Sequence, residues 1–304
     1  MKERYVFIGF GELSIDKIYD KTGNLIKEDG GDTIWNIIYN LGLMNEKAYA
    51  IGIVGNDNNA EIAINSLKNV NVNTDYIKIE NKKTNIIYAM LDTDENGKNN
   101  IKFSKKSLID NKLSYEISQN IPIEIPEEIN QKNSIIVLMN FDNQNVKFID
   151  SIKNRKVALD IGHSKMLENL NSDYMLEYLN KVNICQINYK ILEVILKKLN
   201  IFNEIDLYSI LNLDLLIITY AEKGAKFIYN ENDEIIQTIK EPSNVIDNPI
   251  DTSGAGDAFF SVILKEYNSY LTEGKNIDIN FVDSIFDKAN KYACEIIQKI
   301  GARG

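Results

Sequence analysis

The chain is 304 residues long, 44% hydrophobic and 26% charged, with a net charge of −10. That length and apolar content allow a large core, and the acidic balance argues against a general nucleic-acid surface, which needs a concentrated basic stripe. A lone histidine, His163, and two cysteines without metal spacing, Cys185 and Cys294, set aside zinc sites, histidine-based triads and disulfide frameworks.

In chain order, Tyr5-Val6-Phe7-Ile8-Gly9-Phe10-Gly11 reads as a short apolar strand ending in glycines, and the following Glu12-Leu13-Ser14-Ile15-Asp16 delivers an acid to the ligand end of a sheet. The segments Lys17 to Lys27 and Thr84 to Ser107, rich in Tyr, Thr and Ile, carry turn signals at Thr22-Gly23-Asn24 and Glu95-Asn96-Gly97 and predict antiparallel hairpins. Between them, Gly30-Gly31-Asp32-Thr33-Ile34-Trp35-Asn36 leads into a helical Ile37 to Leu41. Ala50 to Asp57 then reads as a strand and turn, with Asp57 a turn or helix-cap residue. Lys102, Lys105 and Lys106 fit a solvated strand edge better than a binding patch. From about residue 130, strands at Ile135 to Met139, Val157 to Ile161, Ile184 to Ile187 and Leu215 to Thr219 alternate with helical patterns. That alternation predicts an α/β fold with a mostly parallel sheet and helices on both faces. No apolar run is long enough to cross a bilayer, and no basic segment followed by an apolar one opens the chain, so a cytoplasmic protein without membrane contacts is expected.

The most informative stretch is Asp251-Thr252-Ser253-Gly254-Ala255-Gly256-Asp257, followed by the apolar Ala258 to Leu264. Glycines flanking Ala255 before a helix let backbone N–H groups point outward, where the helix dipole reinforces them as an anion cradle. Asp257, opening that helix, puts a carboxylate within reach of whatever the cradle holds, an arrangement suited to phosphoryl transfer. A purely structural Asp257 that caps the helix is the alternative; acids at both ends of the loop favour the ligand-binding reading.

This segment resembles the C-terminal signature of the ribokinase-like (PfkB) carbohydrate kinase family, Asp-Thr-x-Gly-Ala-Gly-Asp, with Ser253 in the variable slot. The resemblance implies a Rossmann-like three-layer α/β/α fold and a single kinase domain over residues 1–304. Lid strands would be inserted at about 13–33 and 83–107. It makes Asp257 the base that deprotonates a sugar hydroxyl and the backbone of Gly254, Ala255 and Gly256 the anion hole. Asp16 and Asn36, with Gly30 and Gly31, become the sugar contacts, although four residues rather than the usual three separate the glycine pair from Asn36. On the nucleotide side, Leu215 to Ala225 is similar to the family's Thr-x-Gly-x-x-Gly loop, implying roles for Thr219, Ala221 and Gly224, with Ala221 in the first glycine position. Asn188 begins a segment similar to the family's Asn-x-x-Glu motif, yet Ile191 holds the Glu position; Gly162 likewise replaces an Asn. Ile300-Gly301-Ala302-Arg303-Gly304 is similar to the family's closing segment. The implied cofactors are ATP and Mg2+, and Asp251 resembles part of a monovalent-cation loop that would bind K+. A homodimer through the lid is the implied assembly. The expected reaction is ATP-dependent phosphorylation of a sugar, tilted toward a fructokinase-like ketose. A nucleoside kinase of the same family and a catalytically weak ligand-binding or regulatory homologue are the alternatives.

Overall fold

The computed structural model describes residues 4–93, 99–107, 113–114, 117, 125–162, 167, 169–243 and 245–304. The chain forms two compact units. The first comprises Val6–Pro122, Asn244–Val262 and Lys291–Gly304; the second comprises Met1–Tyr5, Ile123–Ser243 and Ile263–Asn290.

The first unit begins with β1 (Val6–Glu12), β2 (Ser14–Tyr19), β3 (Leu25–Gly31), α1 (Thr33–Leu43), β4 (Ala48–Val54), α2 (Asn58–Lys68), β5 (Asn73–Ile79), β6 (Asn85–Thr93) and β7 (Asn99–Ser104). β4 lies between β1 and β5, parallel to both. All seven residues of β4 are buried, as expected for a strand covered on both faces. Helix α1 packs closely on β1: a Cβ at Gly9 would sit 2.7 Å from Ile38 and 3.0 Å from Trp35. Trp35 is 1% exposed and satisfies its indole N–H on the Glu12 carbonyl at 2.6 Å. Asp57 is the N-cap of α2, as the sequence indicates, and accepts from Ala60 N at 3.0 Å. It also holds Thr84 N at 3.0 Å and Thr84 Oγ1 at 2.6 Å.

A second, smaller sheet has the order β3-β2-β6-β7. The β2·β3 hairpin turns through Thr22-Gly23-Asn24, where Gly23 has φ 86° and Asp20 Oδ1 accepts Thr22 N at 2.8 Å and Asn24 N at 2.9 Å. β6 and β7 are antiparallel, and the turn expected at Glu95-Asn96-Gly97 lies outside the described residues. The hairpins meet through a parallel pair, β2·β6, which period and turn signals alone do not reveal. β7, carrying Lys102, is an edge strand.

The second unit continues with α3 (Glu127–Asn130), β8 (Ser134–Met139), α4 (Asn143–Ser151), β9 (Arg155–Ile161), α5 (Ser172–Leu179), β10 (Ile184–Asn188), α6 (Tyr189–Leu199), α7 (Glu204–Ser209), β11 (Leu215–Thr219), β12 (Ala225–Glu231) and β13 (Glu234–Lys240). β8, β9, β10 and β11 run parallel, and β12 and β13 add an antiparallel edge. The parallel strands are the continuous Val/Ile/Leu runs of the sequence and supply much of this unit's core, with Ile135, Val137, Leu159, Ile187 and Ile217 fully buried. The chain closes with two long helices, α8 (Ala255–Glu273) and α9 (Ile279–Ile296). The architecture is α/β, mostly parallel, with helices and a small additional sheet.

Candidate active site

The loop before α8 is shaped by its own residues. Gly254 takes φ 73°, the left-handed region that glycine reaches without strain, and a Cβ there would run into the backbone of Ala302. Asp251, 2% exposed, accepts Ser253 N through Oδ1 and Gly301 N through Oδ2, both at 2.8 Å. Its carboxylate therefore staples the loop to the closing segment Ile300–Arg303.

Asp257 is the third residue of α8, inside the first turn rather than at the capping position that the sequence suggests. It is buried, and its Oδ2 accepts the amide of Asn36 Nδ2 at 2.8 Å. Burial pushes its pKa up to about 6; Asp32 adds to the rise, while Asn36, Thr33 and Arg303 oppose it. A carboxylate near that value ionises at neutral pH yet remains basic enough to accept a proton.

Asp16 lies on β2, opposite Asp29 of β3. Among the described residues none donates a hydrogen bond to its carboxylate, and desolvation raises its pKa to about 7; Asp32, Asp257 and Asp29 add to this against Arg303. The sequence leaves open which of the paired glycines matters here. A side chain at Gly31 would overlap the Asp16 carboxylate, and one at Gly30 would overlap Arg303 and Ser66, so the two glycines make room for different groups.

Arg303 is the residue that sequence reasoning missed. It is 4% exposed, and its Nε–H donates to Asn36 Oδ1 at 3.0 Å. Its Nη1 donates to Ser66 Oγ at 2.6 Å and lies 3.8 Å from Asp29 Oδ1, and its guanidinium sits 4.8 Å from the Tyr39 ring centre. The only signal in the sequence is an arginine following the small residues Gly301 and Ala302. The first unit thus brings together Asp16, Gly30, Gly31, Asn36, Asp251, Gly254, Ala255, Gly256 and Asp257 from segments far apart in the chain.

The remaining expected residues belong to the second unit. Asn188 and Thr219 end adjacent parallel strands in register, β10 and β11. Asn188 also caps α6, accepting Lys190 N at 3.0 Å. Ala221 takes φ 53°, so an alanine adopts the left-handed conformation that a glycine would accept more readily. Gly224 follows at φ 97° with the Lys240 carbonyl where a Cβ would lie. The Tyr189 and Tyr220 rings stack at 5.5 Å in the same strand-end region. Ile191 is buried in α6.

This combination of a mostly parallel α/β framework, a small accessory sheet and a glycine loop opening a helix is the ribokinase-like architecture. Residues 11–304 match the family model described as pfkB family carbohydrate kinase, and the chain belongs to that family, whose members are phosphotransferases with an alcohol group as acceptor. A Pyrococcus horikoshii protein described as a sugar kinase is 28% identical over 268 residues, covering 84% of this chain and 80% of the relative. Its structure has a TM-score of 0.70, covering 98% of this chain and 93% of that one. The structure of a Xylella fastidiosa fructokinase with bound ATP has a TM-score of 0.71 at 16% identity, covering 98% and 94% of the two chains. That of an Arabidopsis thaliana ribokinase with ribose and ATP has a TM-score of 0.66 at 18% identity, covering 99% and 95%. Among the described residues, no helix is long and apolar enough to cross a membrane.

Proposed function

We propose that this chain phosphorylates a hydroxyl of a sugar at the expense of ATP, with Asp257 as the general base. The observation that carries the reading is the setting of Asp257: a buried carboxylate in the first turn of α8, beside the Gly254–Gly256 loop, with one oxygen held by Asn36 and its pKa raised to about 6. The acceptor hydroxyl binds through Asp16, whose carboxylate has no donor among the described residues and gains hydrogen bonds when a polyol arrives, and through Asn36, with Gly30 and Gly31 leaving space beside it. Asp257 removes the proton from the attacking oxygen, which bonds to the γ-phosphorus as the bond to the ADP oxygen breaks. The N–H groups around Gly254, Ala255 and Gly256 stabilise the charge on the transferring phosphoryl group.

Asn188, Thr219, Ala221 and Gly224 form the nucleotide side of the proposal, and the ATP-bound relatives support ATP as the donor. Magnesium would arrive with the nucleotide, held mainly by its phosphates, and would neutralise phosphate charge. The proposal extends to activation by K+ at the loop that Asp251 shapes, and to the whole chain working as one kinase domain in a cytoplasmic setting. In it the β3-β2-β6-β7 sheet acts as a lid that excludes water and pairs with a second copy of the chain. A fructokinase-like ketose is the favoured acceptor.

The test is ADP release from Mg-ATP over ketoses, aldoses, sugar acids and nucleosides, with Asp257→Asn beside the parent. Turnover with one acceptor that collapses in the variant supports the reading. A nucleoside as the sole acceptor replaces the sugar, and no turnover above the variant with ATP still bound refutes catalysis.

A further inference from the structure

Burying a guanidinium is costly, and the nearest carboxylate to Arg303 among the described residues, that of Asp29, is 3.8 Å away, too long for a close ion pair to offset the lost hydration well. Desolvation lowers the Arg303 pKa accordingly, with Asp29 and Asp16 opposing. The position therefore has to be explained by what Arg303 does for its neighbours.

Its Nε–H donates to Asn36 Oδ1, and Asn36 Nδ2 in turn donates to Asp257 Oδ2. An arginine can only donate. With Arg303 in place, the Asn36 oxygen must face the guanidinium and its NH2 must face Asp257. Without Arg303, the amide is free to turn its oxygen toward Asp257, an orientation that suits only the protonated acid.

We infer that Arg303 is a positioning residue for phosphoryl transfer: acting through Asn36, it locks the amide in the orientation that keeps Asp257 ionised and aimed. This rests on the assignment of Asp257 as the base. The ring of Tyr39 and the hydroxyl of Ser66 hold the guanidinium in place from α1 and α2. The charged and titratable groups facing Asp257 are Asp32 just before α1, Asp16 on β2 and Arg303 on the closing segment; the neutral donors are Asn36 and Thr33. Arg303 and the two donors favour the carboxylate, while Asp32 and Asp16 oppose it.

The experiment compares kcat and KM from pH 5.5 to 9 for the parent, Arg303→Gln, Arg303→Lys and Asp257→Asn, with thermal melts confirming that each folds. Arg303→Gln is expected to lower kcat with little change in the KM for ATP, and to move the acid limb of kcat/KM upward. A rise of about one pH unit, from about 6 to about 7, costs about fivefold in activity at pH 6 and far less at pH 8. Arg303→Lys keeps the charge without the planar fork that fixes Asn36, so a direct charge effect alone leaves its acid limb at the parent's, whereas a freed amide raises the limb and lowers kcat. An Arg303→Gln acid limb that coincides with the parent's overturns the inference. If Arg303→Gln does not fold, Arg303→Lys decides: a parent-like acid limb overturns the inference, and a lowered kcat with a raised acid limb supports it. Should Asp257→Asn keep turnover, the base assignment itself fails. Should Asp257→Asn collapse while the Arg303 variants behave as the parent, only the relay fails.

Discussion

Replacing Asp16 by Asn should weaken acceptor binding and strengthen the fold, two effects of opposite sign from one carboxylate. Asp16 is raised from its ordinary 3.8 to about 7, first by desolvation and then by Asp32, Asp257 and Asp29 against Arg303. Below pH 4 it is protonated in both the folded and the unfolded chain, so it costs nothing. Between pH 4 and 7 the unfolded chain ionises while the folded one resists, which draws the equilibrium toward unfolding; above pH 7 the full penalty applies. About three pKa units correspond to a ceiling of about 4 kcal/mol. Because Asp16 is only half-buried and water screens its charge, about 1–2 kcal/mol is the expected gain for Asp16→Asn at pH 8. The assay is chemical denaturation of ligand-free parent and variant from pH 5 to 8, with acceptor KM measured alongside. The stability difference should shrink toward pH 5, and acceptor KM should rise about a hundredfold through lost charge-assisted hydrogen bonds. A variant no more stable than the parent at pH 8, or a gain that does not change with pH, would refute the reasoning.

Gly31→Ala places a methyl group on the Asp16 carboxylate, so acceptor KM should rise by about tenfold while the KM for ATP stays level, as steady-state kinetics would show. Ala221→Gly relieves the left-handed alanine at φ 53° and should add about 0.5–1 kcal/mol to stability, read from the urea midpoint; an unchanged or lowered midpoint counts against strain at that turn. Asp57→Ala removes the α2 cap and the two bonds to buried Thr84, and a loss of about 2–3 kcal/mol is expected, with Asp57→Asn recovering part of it.

The sequence made the fold legible where burial is two-sided or a turn has its own chemistry. Leu215–Thr219 needs an unbroken apolar run to be buried on both faces, and the turn at Gly23 needs a residue that tolerates positive φ, so both are visible from composition alone. Asp57 likewise showed itself as a cap because capping is local. The antiparallel edge β12·β13 was not visible, since Glu234–Lys240 is largely exposed and reads as a polar segment. Nor was the parallel contact of β2 with β6, because strand direction is set by the chain between them rather than by either strand. At the candidate site, the glycine loop itself pointed to Asp257 while family resemblance supplied the roles of Asp16 and Asn36, and the structure joins Asn36 to Asp257 across 221 positions. Arg303 escaped because a single arginine carries no periodicity; its role arises only from the four side chains that enclose it.

The parallel β2·β6 pair has a consequence for synthesis. Ser14 pairs with Asn85, so β2 leaves the ribosome about 70 residues before its central partner, a wait of about 4–14 s at ordinary translation speeds. During that interval the β2·β3 hairpin stands alone with Leu25 and Ile26 exposed, and an isolated hairpin is at best marginal in water. The β1·β4·β5 ladders, by contrast, are complete once Ile79 has emerged. The small sheet is therefore built after the layer it accompanies and rests on the pairing with the longest loop to close, which makes it the part of this unit that can separate and re-form while the rest stays folded.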